Sequence, residues 1–217
     1  MTYWFYYLVR FLLRVCFRFG FGFDVRGREH VPRRGGFVLA STHTSFLDPP
    51  VLAAACPRRL HFMARSDLFR HPLLGAFMRG VHVIPLRRGE GDLEAIRAAV
   101  HMLSNGEGVA IFPEGGRQLS GRLGAAKRGV GLLAEAAEVP IVPVFISGTF
   151  HALPPSENRL HRAKIRVAFG AVIPYTTASA QRPARTLHEH LADAVTQAWR
   201  RLAAQTQSGA IVTRRTP

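Results

Sequence analysis

The sequence predicts an α/β fold: a mixed, largely parallel sheet flanked by helices, with an amphipathic helix attached at the N-terminus. Three observations predict it. Short apolar runs of strand length alternate with helical periodicity from residue 37 to residue 206. Hydrophobic content of 47% with 20% charged residues is that of a globular chain of 217 residues, long enough to bury a core. The first 23 residues are apolar and aromatic, yet broken by Arg10, Arg14 and Arg18.

That opening segment, MTYWFYYLVRFLLRVCFRFGFGF, lacks the basic start and small-residue cleavage site of a signal peptide. A spanning helix needs about 20 apolar residues with few charges, which the arginines deny. At about 100° per residue the three arginines share a narrow arc, while Phe5, Leu8, Leu12, Val15 and Phe19 fall opposite. The expectation is a helix lying in a membrane interface, its arginines snorkelling to lipid phosphates and its aromatics entering the acyl region. The alternative is a core-packing helix with a solvated arginine stripe. Residues 1–23 are thus read as a membrane-associating segment, 24–206 as the α/β domain and 207–217 as a frayed tail.

Within the domain, FVLAS (37–41) reads as a buried strand and SFLDPPVLAAAC as the helix after it. LHFMA (60–64) is a strand, followed by a helix near 67–79. VHVIPL (81–86) is a strand, and 91–104 an amphipathic helix carrying Leu93, Ile96, Ala99, Val100 and Leu103 on one side. VAIF (109–112) runs into a glycine-rich loop, with a helix over about 125–137. IVPVFI (141–146) and KIRVAFG (164–170) are the last strands, and 183–206 the last helix.

The balance of 29 Lys plus Arg against 14 Asp plus Glu gives a net charge of +15, a surface that seeks polyanions. Nucleic acid is the rival partner, but no groove-reading helix, RNA-binding motif or aromatic stacking sheet is present in the sequence. An anionic membrane surface is therefore the expected partner. Cys16 and Cys56 form no disulfide framework, which points to a reducing compartment.

THTSFLD (42–48) sets His43 and Asp48 five positions apart. In a continuous helix such positions lie about 140° apart and do not meet. His188 and Asp193, at the same spacing in LHEHLAD, sit inside a predicted helix. His43 follows a predicted strand end instead, where the backbone can turn and bring the pair together. A neutral imidazole takes a proton from a hydroxyl near neutral pH, and a carboxylate on its other nitrogen fixes the tautomer. Capping accounts for Asp48 as well, either by Ser45 with Asp48 in a capping box or by Asp48 preceding Pro49. No G-x-S-x-G surrounds Ser45, so the nucleophile is expected to be a substrate hydroxyl. A metal site is disfavoured, because no second histidine or carboxylate cluster accompanies the pair.

FPEGGRQLSGRLGAAKRG (112–129) follows a strand. Gly115 and Gly116 allow a tight turn whose N–H groups can cradle an anion, and Arg117, Arg122, Lys127 and Arg128 add cations. It lacks the spacing and Gly-Lys-Ser/Thr ending of a Walker loop. In VIPLRRG, Arg87 and Arg88 leave another strand end. Ligands in α/β sheets gather beyond the carboxyl ends of strands, so the three segments are expected to converge.

Four ordered blocks resemble the glycerolipid acyltransferase family, the 1-acyl-glycerol-3-phosphate acyltransferases and their relatives. They are His43 to Asp48, GVHVIPLRR ending at Arg88, FPEGGR with SGRL and Lys127 after it, and VPIVPVFISGT (139–149). The resemblance implies transfer of a fatty acyl group, without a cofactor, from an acyl-CoA or acyl carrier protein thioester to the hydroxyl of a lysophospholipid acceptor, lysophosphatidic acid giving phosphatidic acid, with glycerol-3-phosphate or an amino-lipid hydroxyl as the alternative acceptor. It implies His43 as general base, Asp48 as its partner, and Arg88, Glu114 and Arg117 at the acceptor, the two arginines at its phosphate. Gly115 belongs to the same loop, and Lys127 matches a basic position found after it. Location at the cytoplasmic face of the cell membrane, peripheral or monotopic, goes with this reading. Thr42 stands where the family commonly has Asn, Gly116 where it has Thr, and Gln118 where it has Ser. The last two departures bear on acceptor recognition.

Overall fold

FVLAS forms the central strand, and all five of its residues are buried, as an unbroken apolar run covered on both faces must be. The computed structural model describes residues 3–87, 92–176 and 184–207. Its strands are β1 (Asp24–Arg26), β2 (Phe37–Ser41), β3 (Leu60–Arg65), β4 (Ile84–Leu86), β5 (Gly108–Ile111), β6 (Ile141–Ser147) and β7 (Arg166–Phe169). They lie in the order β1-β7-β6-β2-β5-β3-β4. β2 pairs in parallel with β5, Ala40 opposite Ile111, and with β6, Ser41 opposite Val144. Every other pairing is parallel except β6 with β7. This is the mixed, largely parallel sheet that the sequence predicts.

The helices are α1 (Trp4–Gly20), α2 (Asp48–Ala55), α3 (Pro72–Gly80), α4 (Leu93–Ser104), α5 (Gly129–Ala136), α6 (Thr149–Ala152) and α7 (Ala184–Gln207). One face of the sheet packs Phe37, Leu39, Val142 and Val144 beneath α2 and Phe17 of α1. The other packs Val38, Ala40, Val109 and Ile141 beneath α4, α5 and α7. There Trp199 is fully buried, and its indole N–H donates to the carbonyl of Ala40 at 3.1 Å. That bond satisfies the polar end of a large core residue.

Several elements differ from expectation for identifiable reasons. The helix expected at 67–79 is two pieces, a 3₁₀ turn at Ser66–Arg70 and α3, because Pro72 holds His71 extended at ψ 122°. The strand expected from residue 81 starts at Ile84, since Val81 and His82 form the turn that ends α3, with His82 at φ 58°. The helix expected from about 125 starts at Gly129: the N–H of Lys127 is held by the Pro113 carbonyl at 2.8 Å. Three-residue β1 and four-residue α6 were too short to show a period.

α1 requires the largest correction. Its arginine arc faces the protein, not lipid phosphate. Arg10 is 6% exposed and donates to the carbonyl of Cys56, while Arg14 donates from Nε to the carbonyl of Ala54 at 2.8 Å. Of the three, Arg18 alone is exposed. The carbonyls at the end of α2 have no partner within their own helix and demand donors, which only long cationic side chains reach from α1. The apolar arc is left outside, with Trp4, Leu8, Phe11, Leu12, Val15 and Phe19 all exposed. None of the described helices is long and apolar enough to cross a membrane.

Candidate active site

The carboxyl ends of three adjacent strands, β6, β2 and β5, build the site. β2 ends at Ser41, and the chain turns through Thr42–Leu47 before entering α2 at Asp48. The turn is fixed by its own polar groups. Thr42 Oγ1 accepts the N–H of Ile146 at 3.1 Å, tying the turn to β6. Ser45, fully buried, donates its hydroxyl to the Leu153 carbonyl at 2.8 Å and is thereby committed to structure. Thr44 and Thr149 share a hydroxyl hydrogen bond at 3.4 Å.

This turn brings His43 against Asp48. Nδ1 of His43 donates to Oδ2 of Asp48 at 2.9 Å. The same oxygen receives the backbone N–H of Thr44 at 2.7 Å and of Ser45 at 2.8 Å. Asp48 therefore closes the reciprocal half of the expected capping box and orients the imidazole with one atom. An ionised carboxylate only accepts, so Nδ1 carries the hydrogen and Nε2 keeps the basic lone pair. Among the described residues Nε2 has no protein partner. The histidine side chain is 16% exposed against 1% for the aspartate: the imidazole reaches the surface and the carboxylate does not. His188, within α7, does not meet Asp193 and pairs instead with Glu135 of α5.

β5 delivers the second wall. Phe112, expected as the last strand residue, lies just past β5, and its ring stacks on His43 with centroids 4.0 Å apart. Glu114 is 5% exposed. Its Oε2 accepts the N–H of His43 at 2.7 Å, and Oε1 accepts the N–H of Gly124 at 3.0 Å. Burial pushes the Glu114 carboxyl up, a trend the two N–H donors oppose. Gln118 completes the clasp, its N–H meeting the His43 carbonyl at 2.8 Å. Both backbone polar groups of the histidine are thus held by the Pro-Glu-Gly loop. The partners are main-chain groups, and nothing in residue identity announces them.

Gly115 takes φ 81°, and an added Cβ would sit 2.7 Å from Nζ of Lys127, whose chain crosses over the turn. Arg117 lies over the ring of Phe46, its Cζ 3.6 Å from the centroid, with a buried Nη1 that has no protein partner among the described residues. Phe46 is 62% exposed, and the signal for it in the sequence is its place between His43 and Asp48. Arg88 lies outside the described residues. Arg87 before it follows β4, three strand spacings or about 14 Å from β2.

Cys56 offers no competing nucleophile, for burial pushes its thiol up to about 11. With Ser45 also committed, the arrangement among the described residues presents an imidazole nitrogen able to accept a proton from a hydroxyl brought to it.

Residues 22–147, which contain His43, Asp48 and the loop after β5, match the family model described as Acyltransferase. The chain belongs to the acyltransferase family. It is 31% identical over 137 residues to a 1-acyl-sn-glycerol-3-phosphate acyltransferase of Bacillus subtilis, covering 63% of this chain and 68% of that one. With the human 1-acyl-sn-glycerol-3-phosphate acyltransferase alpha it shares 33% over 140 residues, 63% of this chain and 49% of that one. The crystal structure of a 1-acyl-sn-glycerophosphate acyltransferase from Thermotoga maritima aligns with a TM-score of 0.73 at 23% identity, covering 88% of this chain and 78% of the other. That likeness is one of fold. This acyltransferase is an O-acyltransferase by family.

Proposed function

We propose that this acyltransferase moves a fatty acyl group from a thioester, acyl-CoA or acyl carrier protein, to the free hydroxyl of 1-acyl-glycerol-3-phosphate, giving phosphatidic acid. The observation that carries the reading is the His43–Asp48 contact of 2.9 Å at the end of β2, with Nε2 left open. His43 takes the acceptor's hydroxyl proton, and that oxygen attacks the thioester carbonyl. The C–O bond forms as the C–S bond breaks, and the departing thiolate recovers the proton from His43. Asp48 stabilises the intervening imidazolium. Arg117, with its unpartnered Nη1, suits the acceptor phosphate, as Arg88 does by resemblance. Glu114 and Gly115 support the loop that holds both Arg117 and His43, and Lys127 adds a cation beside it.

The exposed face of α1 supports a place on the cytoplasmic surface of the cell membrane, peripheral or monotopic. Phe11 and Phe19 are 62% and 82% exposed, and Leu73, Leu74 and Phe77 of α3 are exposed too. Phe5 meets Phe77 edge to ring at 6.3 Å, bringing the start of α1 against α3. Such a surface takes lipid at the boundary of headgroup and acyl chain.

The test is product analysis by mass spectrometry, with lysophosphatidate and glycerol-3-phosphate offered in turn against acyl-CoA and acyl carrier protein. Phosphatidic acid from lysophosphatidate is expected, and His43→Ala should lower turnover by at least about 100-fold. Glycerol-3-phosphate as the sole acceptor would reassign the substrate, and wild-type turnover in His43→Ala would remove the base.

A further inference from the structure

α2 is an eight-residue rod that starts with Asp48, and six of its residues are buried between the sheet and α1. Its far end is held from α1. Arg10 donates to the Cys56 carbonyl; Arg14 donates to the Ala54 carbonyl at 2.8 Å and to the Cys56 carbonyl at 3.3 Å. These carbonyls are the negative end of the helix dipole, where a cation is most favourable.

Space-filling alone does not account for the pair. Among the described residues neither arginine meets a carboxylate, and Arg10 is 6% exposed with its Nε unpartnered. Burying a guanidinium without an acid is costly, and two in one place repel each other. An apolar side chain would fill the same volume without either penalty, but would leave the Ala54 and Cys56 carbonyls without these donors. What the arginines add is a directed grip on one end of α2. Asp48 stands at the other end, within about 12 Å along the helix axis. A rigid rod tilted at its far end carries its first residue off position, and Asp48 must meet Nδ1 of His43 within hydrogen-bond distance.

We propose that Arg10 and Arg14 are positioning residues for the His43–Asp48 pair, acting through α2, so that turnover depends on how α1 is seated. The inference rests on the proposed role of that pair. It makes the helix with the apolar outer face also the brace of the catalytic helix.

The full chain in mixed micelles with lysophosphatidate and acyl-CoA provides the test, using Arg10→Met, Arg14→Gln and Arg14→Lys. For Arg14→Gln and Arg10→Met, kcat is expected to fall about tenfold or more, with KM for lysophosphatidate within about twofold, because displacement of a catalytic group by an ångström has effects of this order. Arg14→Lys should restore most of the loss, since an ammonium still donates to a carbonyl at that end. The low-field ¹H resonance of the His43 Nδ1 proton, assigned by its absence in His43→Ala, should weaken in Arg14→Gln and return in Arg14→Lys. Should Arg10→Met fail to fold, the two Arg14 variants decide. Unchanged kcat and resonance in Arg14→Gln would overturn the proposal, as would a loss that lysine does not restore. Wild-type turnover in His43→Ala would instead overturn the role of the pair itself.

Discussion

The carboxylate of Glu114 receives the backbone N–H of His43 at 2.7 Å, binding the loop after β5 to the turn after β2. Glu114 is buried, and burial raises its carboxyl above the ordinary value of 4.5. A group whose pKa rises on folding contributes stability fully below its unfolded value and loses it as pH climbs through the folded value. Glu114→Gln cannot titrate. The stability of the wild type relative to Glu114→Gln should therefore be greatest at the acid end and decline toward neutral pH. Denaturant midpoints of both proteins between about pH 4.5 and pH 8 measure it. A difference that grows with pH would contradict the assigned shift.

Asp48→Asn separates capping from charge. The amide oxygen can still accept the N–H groups of Thr44 and Ser45, which now meet Asp48 at 2.7 and 2.8 Å, so the fold should persist. It cannot stabilise an imidazolium on His43. Turnover should fall by roughly 100- to 10,000-fold, with little change in the thermal midpoint. Equal activity would leave Asp48 as a cap alone.

The pair was legible because both signals that create it are local. An apolar run ends just before His43, and a proline follows Asp48, so the backbone must turn between them. The central strands were legible for the same reason: runs such as 37–41 and 141–146 are too apolar to lie anywhere but in the middle of the sheet. The direction of the arginine arc was not. Periodicity placed Arg10 and Arg14 together without saying what they face, and their partners are the carbonyls of Ala54 and Cys56. Main-chain groups supply the partners of Glu114 too. Only the packing of α1 and of the loop reveals such contacts.

Gly115 and Gly116 are neighbours with different demands. Gly115 sits at φ 81°, a region that costs other residues about 1–2 kcal/mol, and its Cβ position faces the flexible end of Lys127. Gly116 has an ordinary φ and open space around its Cβ position. Gly115→Ala should lower unfolding free energy by about 1 kcal/mol or more, and Gly116→Ala by less than about 0.5 kcal/mol. Chemical denaturation of the two variants measures the contrast, and equal losses would show that the loop is not held in this geometry.

The apolar surface of α1 makes a prediction that the inward turn of its arginines sharpens. With Arg10 and Arg14 committed to α2, the share of vesicle binding that comes from α1 should draw mainly on apolar contact and persist on neutral lipid, while exposed cations such as Arg18 add to binding on anionic lipid. Phe11 and Leu12 are 62% and 55% exposed on that face. Replacing both with Ser removes apolar area worth about 1.5 kcal/mol or more per side chain, a loss of at least about 100-fold in partitioning for the pair. Leu93 is as exposed as Phe11 but begins α4, on the opposite face of the sheet. Flotation with phosphatidylcholine vesicles should therefore fall for Phe11→Ser with Leu12→Ser and stay at the wild-type level for Leu93→Ser. Equal effects from the two faces would mean that α1 has no privileged contact with lipid.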